Sequence, residues 1–266
     1  PGRLKDHMQR KTVDLSKISL LVLDEADRML DMGFIDDIEY IIRACPKKRQ
    51  TLFFSATFSS KIEHLARKYL HDPEKVMATK MVDPSKLEQV FYDVPRNLKI
   101  SLLTHLMKQE DSKLIMVFCN TRRSTDIVVK NLKANKVNAI AIHGGFTQNK
   151  RTKALEDFSD GRSMVLVCTD VAARGLDVDH VSHVYNYDIP SDPTDYVHRI
   201  GRTARAGNEG KVINLLCDLD HENFQRLLSR HREFKIKRLD RPYLKQVPIK
   251  IDQQHGRRRK KGYRRS

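Results

Sequence analysis

The sequence predicts an α/β fold in which parallel sheets are covered by helices. Short apolar runs alternate with segments of helical period, and the runs are nearly continuous in Leu, Ile and Val. Such continuity is typical of strands buried on both faces, and the alternation with helices favours a parallel sheet. The predicted strands are residues 20–23, 51–54, 75–78, 114–119, 137–142, 164–168, 181–185 and 212–217.

Two predicted helices have recognisable starts. Ser60 and Glu63 fit a capping box, in which each side chain satisfies the backbone N–H of the other residue, and the helix should run toward Tyr69. Asp192 precedes Pro193, which predicts a helix capped by the carboxylate and begun by the proline.

The organisation along the chain indicates two α/β units. With 266 residues there is room for two domains or parts of them. The strand and helix pattern breaks between the units, where prolines appear without helical period. We therefore expect a first unit at 1–82, a linker at 83–88, a second unit at 89–240 and a tail at 241–266. About 80 residues is short for the first unit.

The net charge of +16 is concentrated in the tail, which holds ten Lys/Arg and one Asp. Its last eleven residues, GRRRKKGYRRS, cannot build a core and predict a flexible polybasic segment. Either it is a solvated end or it binds phosphates without regard to sequence, because each neutralised phosphate releases counterions. A nuclear localisation signal is compatible with the same residues.

Composition excludes several classes. No apolar run reaches the roughly 18 residues that span a bilayer, and the charged start PGRLKD is no signal peptide. We expect no membrane partner and a cytoplasmic location, with a nuclear one possible. The four cysteines lack the spacing of a metal site or a disulfide framework, and three end apolar runs, so we expect core residues.

An acidic cluster follows the first apolar run. Asp24 and Glu25 come directly after it, with Asp27 next in the cluster. A carboxylate at a strand end can hold hydrated Mg²⁺ on nucleotide phosphates, and its neighbour can orient the attacking water. The competing interpretation is a solvated helix start.

A basic cluster lies near the end of the second unit. If a helix continues through it, His198, Arg202 and Arg205 share one face. Two guanidiniums aimed the same way can clamp a phosphate. A structural ion-pair role is the alternative, but few acidic residues lie nearby in sequence, which favours an external anion.

Six motifs in this order and approximate spacing resemble the DEAD-box RNA helicases, over roughly residues 1–240. They are DEAD at 24–27, SAT at 55–57, VFCNT at 117–121, QNKR at 148–151, TDVAARGLD at 169–177 and HRIGRTARAG at 198–207. The resemblance implies two RecA-like domains, the first only partly present and the second complete. It also implies an ATP-dependent enzyme, expected to be a monomer, that separates short RNA duplexes locally and uses Mg²⁺.

The resemblance also implies roles for individual residues. Asp24 would hold Mg²⁺ through water and Glu25 would act as general base. Coupling residues would be Asp27, Ser55, Thr57 and His198. ATP would be contacted by Gly175, Asp177, Arg202 and Arg205. RNA would be contacted by Gly2, Arg3, Asn120, Thr121, Gln148, Arg151, Thr169 and Gly175, and the helix at 4–10 resembles the family's strand-bending wedge.

Two features depart from the family. Ala204 stands where the family usually has Gly, a change we expect to be tolerated on a helix. The chain also contains no G-x-x-x-x-G-K-[ST] phosphate loop. We therefore expect an internal fragment that alone hydrolyses ATP negligibly. Alternatives are a nucleotide-independent RNA-binding module and a DNA-directed helicase of a neighbouring family.

Overall fold

The structure, a computed structural model, describes residues 1–58, 60–77, 86–109, 113–173, 176, 178, 181–204 and 208–249. The chain forms two compact units, Pro1–Met77 and Ala78–Ser266.

Unit 1 contains a two-stranded parallel sheet whose strands pair from Leu20 with Gln50 to Leu23 with Phe53. Its elements are α1 Gly2–Gln9, β1 Leu20–Leu23, α2 Ala26–Asp31, α3 Ile35–Ala44, β2 Gln50–Phe53 and α4 Ser60–Tyr69. Apolar residues of β1 and of α2 to α4 form the core. Leu20 and Val22 are 48% and 46% exposed, so the prediction that both faces of each strand are covered is wrong for β1 among the described residues. Alternate residues of a strand face opposite sides, and the helices cover one side.

Unit 2 contains a seven-stranded sheet, entirely parallel, in the order β5-β6-β4-β7-β8-β3-β9. Successive residues of β4 belong to two different core clusters, one on each face of the sheet, which confirms the predicted covering by helices. The strands are β3 Leu87–Asp93, β4 Leu114–Phe118, β5 Ala139–Ile142, β6 Val165–Cys168, β7 Val181–Asn186, β8 Gly210–Leu216 and β9 Lys237–Arg238. The helices are α5 Lys99–Gln109, α6 Arg122–Ala134, α7 Gln148–Ser159, α8 Asp170–Ala173, α9 Pro193–Ile200 and α10 His221–Arg230, with a short 3₁₀ turn at Arg96–Leu98.

Two differences from the predicted strands have physical reasons. Residues 75–77 of the predicted strand at 75–78 are irregular, and Val76 and Met77 are exposed because they pack against no core; Ala78 lies outside the described residues. Strand β3 was missed because Glu88, Gln89 and Asp93 interrupt its apolar residues. It begins inside the predicted linker, whose residues 83–85 lie outside the described part.

The predicted helix starts have mixed outcomes. The Asp192 carboxylate accepts a hydrogen bond from the Thr194 N–H at 2.8 Å, and α9 begins at Pro193, which confirms the cap. Helix α4 has the predicted extent but begins at Ser60 itself, so Ser60 is a helical residue and not the cap. Helix α9 ends at Ile200, so the condition under which His198, Arg202 and Arg205 would share one helical face is not met.

Part of the predicted tail is packed. Among residues 241–249, Leu244 and Val247 are partly buried against the core, and the Val247 N–H donates to Ser101 Oγ at 3.1 Å. Residues 250–266 lie outside the described part.

The four cysteines are free and buried, as predicted for core residues. Burial raises the pKa of the Cys119 and Cys168 thiols. Within the described ranges, no helix is long and apolar enough to cross a bilayer.

Candidate functional site

The acidic motif of unit 1 lies at the carboxyl end of β1. Asp24 is exposed, and its Oδ1 accepts a hydrogen bond from the Glu25 N–H at 2.8 Å. Glu25 has the left-handed backbone conformation, with φ 50° and ψ 44°. For a residue other than glycine this conformation costs about 1–2 kcal/mol, and such strain often accompanies function. The turn between β1 and α2 therefore presents two adjacent carboxylates beyond the strand.

Asp27 connects this motif to the Ser-Ala-Thr segment after β2. Its buried carboxylate accepts hydrogen bonds from the Thr57 N–H and the Thr57 hydroxyl, both at 2.9 Å, through Oδ2. The Ser55 hydroxyl donates to the Thr57 carbonyl at 2.7 Å. Hydrogen bonds to an ionised acceptor are stronger than neutral ones. The three residues predicted to couple within unit 1 therefore form one connected group.

Helix α1 carries the other predicted site residues of unit 1. Gly2 and Arg3 are exposed in its first turn. Lys5 holds the helix against α3 by a 2.6 Å ion pair with Asp37 and by lying 5.6 Å from the centre of the Tyr40 ring. The hydrogen bond and the charge of Asp37 raise the pKa of Lys5. The predicted wedge at 4–10 is thus a helix, Gly2–Gln9.

The carboxyl ends of β4, β6 and β7 converge on Arg199, which sequence reasoning missed. Arg199 is 1% exposed, and Phe118 lies under its guanidinium at 5.1 Å. All five of its N–H groups have acceptors: Asp170 Oδ1 at 2.6 Å and Oδ2 at 2.8 Å, Asn186 Oδ1 at 3.0 Å, the Asp188 carbonyl at 2.6 Å and Asn120 Oδ1 at 2.9 Å. The signal available was the place of Arg199 inside the HRIGRTARAG motif at 198–207.

Asn120 and Thr121 follow β4 and are exposed, although both have structural hydrogen bonds. The Asn120 amide donates to the Ile189 carbonyl at 2.8 Å, and its backbone N–H donates to Asp188 Oδ2 at 3.0 Å. Thr121 caps α6 by accepting from the Ser124 N–H at 3.0 Å. These contacts fix the position of the loop while leaving it accessible.

The remaining described residues of the predicted RNA track, Gln148, Arg151 and Thr169, lie on α7 and just before α8 in unit 2. Gln148 is exposed at the start of α7, and Arg151 lies one turn later, on the same face. Arg151 Nη2 is 3.5 Å from the Ala172 carbonyl on α8. Thr169 is 8% exposed, so it offers less surface than the prediction required. Gly175, also predicted for this track, lies outside the described residues.

His198 and Arg202 line one small pocket, although Arg202 is in the turn after α9 and not on the helix. Arg202 Nη1 donates to the Leu176 carbonyl at 2.8 Å. Asp170 and Asp195 line the same pocket, so the expectation that few acidic residues surround this cluster is wrong. The predicted ligands Asp177 and Arg205 lie outside the described residues.

Ala204 was expected on a helix, which is wrong. It lies in a turn with φ 54°, a conformation that favours glycine. Gly210 packs directly against this turn: a Cβ at residue 210 would lie 2.5 Å from Thr203 Oγ1 and 2.6 Å from the Ala204 backbone nitrogen. The turn that carries Arg202 is therefore held by a close approach that only glycine permits.

A buried ion pair supports the segment beneath Asn120. Lys99 Nζ lies 2.7 Å from Asp220 Oδ2, and Asp220 Oδ1 accepts from the Ile189 N–H at 3.0 Å. Burial acts to raise the pKa of Asp220, but the charge and hydrogen bond of Lys99 and the N–H donors outweigh it and lower that pKa. The pair connects the end of β8 to the segment that holds Asn120.

The side chains of the acidic motif fit Mg²⁺ only if water and substrate phosphates supply its other ligands. In the part of the chain that the structure describes, no group of three or more His, Cys, Asp or Glu residues could hold a metal ion. Mg²⁺ usually keeps several waters and binds one or two carboxylates together with substrate phosphates. Asp24, exposed at a strand end, fits that role.

Parallel strands that end in an acidic motif and a hydroxyl-rich segment are typical of nucleotide-binding α/β proteins. Residues 1–65 match the family model described as DEAD/DEAH box helicase, and residues 98–207 match the one described as Helicase conserved C-terminal domain. The chain belongs to the DEAD-box helicase family, and its two units correspond to the RecA-like domains of that family, the first in part.

Three similar proteins illustrate the match. ATP-dependent RNA helicase CshA of Limosilactobacillus reuteri is 45% identical over 240 residues, which are 89% of this chain and 48% of the relative. The structure of S. cerevisiae Dbp5 bound to RNA and ADP BeF3 aligns with TM-score 0.80 and 32% identity, over 90% of this chain and 64% of that one. The E. coli DEAD-box protein SrmB, in a structure with the regulator RraA, aligns with TM-score 0.55 and 34% identity, over 63% of this chain and 99% of that one. The chain spans about half the length of the curated relatives it matches.

Proposed function

We propose that the chain is part of an ATP-dependent RNA helicase that separates short RNA duplexes locally, coupled to hydrolysis of Mg-ATP. The observation that carries the proposal is the hydrogen bonding of Asp27 to Thr57, which joins the acidic motif to the Ser-Ala-Thr segment. The CshA relatives are named ATP-dependent RNA helicases. We further propose that the protein acts as a monomer in the cytoplasm.

The acidic motif supplies the groups that hydrolysis needs. Asp24 would hold Mg²⁺ through water, and the Glu25 carboxylate would orient the attacking water and accept its proton. When bound, Mg²⁺ neutralises charge on the phosphate oxygens. Family resemblance assigns Arg202 and Arg205 to the γ-phosphate, and Asp177 and Gly175 to the rest of the nucleotide.

RNA binding would use the strand-end loops of unit 2 and the exposed start of α1. Arg151 and the helix start at Gln148 suit phosphate contacts, and the fixed Asn120–Thr121 loop suits contacts with the backbone. Contacts of this kind read little sequence, so we expect similar affinity for unrelated single strands.

The ATPase test compares the chain with a chimera. The sequence holds no G-x-x-x-x-G-K-[ST] loop to cradle phosphates, so the 266 residues alone should hydrolyse ATP negligibly. The chimera joins Pro1 to the part of Limosilactobacillus reuteri CshA that precedes the matched region. RNA should stimulate its ATPase, and Glu25→Gln should abolish that stimulation. Robust RNA-stimulated ATPase from the chain alone would contradict the assignment of phosphate binding to that loop.

A second candidate is a nucleotide-independent RNA-binding module, favoured by the missing phosphate loop together with a complete sheet in unit 2. RNA affinity of the chimera across a salt series, with and without ATP, separates the two functions. A helicase binds RNA more tightly with ATP because the nucleotide favours the closed state, whereas a simple binding module shows one affinity. RNA and DNA strands of one sequence test the preference for RNA.

A further inference from the structure

The segment after α10 crosses one edge of the unit 2 sheet. Phe234 and Ile236 are partly buried against the core on one face, and Leu239, Leu244 and Val247 against the core on the other. Between these two groups, β9 pairs with β3 and forms the edge of the sheet. We name residues 234–247 the C-terminal strap.

Specific contacts fix the conformation of the strap. The Leu239 N–H donates to the Phe91 carbonyl at 2.9 Å, and Arg238 pairs with Asp93 at 3.0 Å. At its far end, Val247 bonds to Ser101 as described above. The strap is therefore anchored at residues 238–239 and at Val247 before any ligand arrives, and such anchoring of the chain reduces the entropic cost of binding.

The outer side of the strap is cationic and carries one aromatic ring. Tyr243 is 96% exposed, so packing does not explain it. Four exposed cations have no ion-pair partner among the residues that the structure describes: Lys235, Lys237, Arg241 and Lys245. Unneutralised cations beside an exposed aromatic ring are typical of surfaces that bind single-stranded nucleic acid.

We propose that the C-terminal strap is a further contact surface for single-stranded RNA, with its cations on phosphates and Tyr243 stacked on a base. The choice of RNA rests on the proposed function. The surface itself is separate from the strand-end loops: β9 and β4 are four strand spacings apart, on the order of 19 Å. An RNA strand bound at Asn120 could therefore extend to a second contact on the same unit.

A lipid surface suits the strap less well than RNA does. Binding at a membrane interface requires apolar side chains that enter the bilayer. The apolar residues of the strap are engaged with the core, which leaves Tyr243 as its exposed ring.

The charge test uses the full 266-residue chain and a fluorescently labelled single-stranded RNA of random sequence, with affinity measured by anisotropy across a salt series. One variant changes the four strap cations to Gln. The matched control changes Lys47, Lys48, Lys108 and Lys133 to Gln, which removes the same charge from exposed sites away from the strand-end loops. The slope of log K against log salt should fall by about 0.7 for each phosphate that the strap variant no longer neutralises, and stay near the wild-type value in the control.

The stacking test compares Tyr243→Ala with Tyr243→Phe. The first should weaken RNA binding roughly 5-fold or more, because stacking on one aromatic ring contributes that much. The second keeps the ring and should bind like the wild type. Because Tyr243 is exposed, neither substitution should impair folding. This pair therefore tests whether the strap binds RNA even if the variant with all four cations changed to Gln does not fold.

The outcomes separate the two proposals. If the wild-type chain binds no RNA, RNA binding under the proposed function fails. If Arg151→Ala weakens binding while the strap variant matches its control and Tyr243→Ala matches wild type, the strap proposal alone is wrong. Strap-dependent binding of phosphatidylserine vesicles or polyglutamate, with RNA affinity unchanged, would also overturn it.

Discussion

Arg199→Lys tests the convergence of strand ends in unit 2. Lysine keeps the charge but offers three donors in place of five, so at least two of the present acceptors on Asp170, Asn186, Asp188 and Asn120 are left without a donor. Each missing bond costs about 1 kcal/mol, more when the acceptor is charged or buried. We expect a decrease of about 2–3 kcal/mol in the free energy of unfolding of unit 2, a large part of a typical domain stability of roughly 5–15 kcal/mol.

Hydrogen exchange of backbone amides in β4, β6 and β7, read by mass spectrometry, measures this decrease in unit 2 directly. The matched control is Arg226→Lys, at a half-exposed arginine on α10 that pairs with Glu222 at 2.7 Å. Surface pairs of this kind contribute about 0–1 kcal/mol. A change below about 0.5 kcal/mol for Arg199→Lys would show that the guanidinium fork is not what holds these strand ends together.

Three further substitutions have defined outcomes. Gly210→Ala should destabilise unit 2 by about 2 kcal/mol or more because the added Cβ has no room, whereas Gly2→Ala, whose Cβ would lie 3.9 Å from its nearest neighbour, should fold normally. Thermal unfolding of the two variants compares them, and equal melting temperatures would contradict the close packing at Gly210. Because the pKa of Asp220 is lowered in the folded state, its contribution to stability is present above about pH 4 and is lost as pH falls through the folded-state pKa. In urea unfolding between pH 6 and pH 2, the free energy of unfolding of Asp220→Asn should therefore fall less with decreasing pH than that of the wild type, and parallel pH curves for the two proteins would refute this. Thr57→Val removes one of the two hydrogen bonds from Thr57 to the buried Asp27 carboxylate and should lower the free energy of unfolding of unit 1 by about 1.5–3 kcal/mol. Hydrogen exchange measures this loss, and Thr12→Val, at an exposed hydroxyl, should cost less.

The strands of unit 2 were predictable because burial on both faces leaves continuous apolar runs, as in β4 and β6. Strand β3 was not, because the adjacent polar residues Glu88 and Gln89, which point to opposite faces of the sheet, break the run. The short β9 has no apolar residue at all, and only its pairing with β3 makes it a strand.

The candidate site was predictable where residues directly follow a strand, as at Asp24 and Asn120. The role of Arg199 was not, because its acceptors lie 11 to 79 residues away in sequence and meet only when the sheet forms. The turn at Ala204 was misjudged because the end of α9 depends on local backbone geometry that helical spacing does not reveal.

Strand separation by the chimera tests the proposed helicase function most directly. A short RNA duplex carrying a fluorophore and a quencher would be mixed with the chimera, with and without ATP and Mg²⁺. ATP-dependent release of the labelled strand, abolished in Glu25→Gln, is the predicted result. Release at the same rate without ATP, or a folded, RNA-binding chimera that releases no strand with ATP, would contradict it.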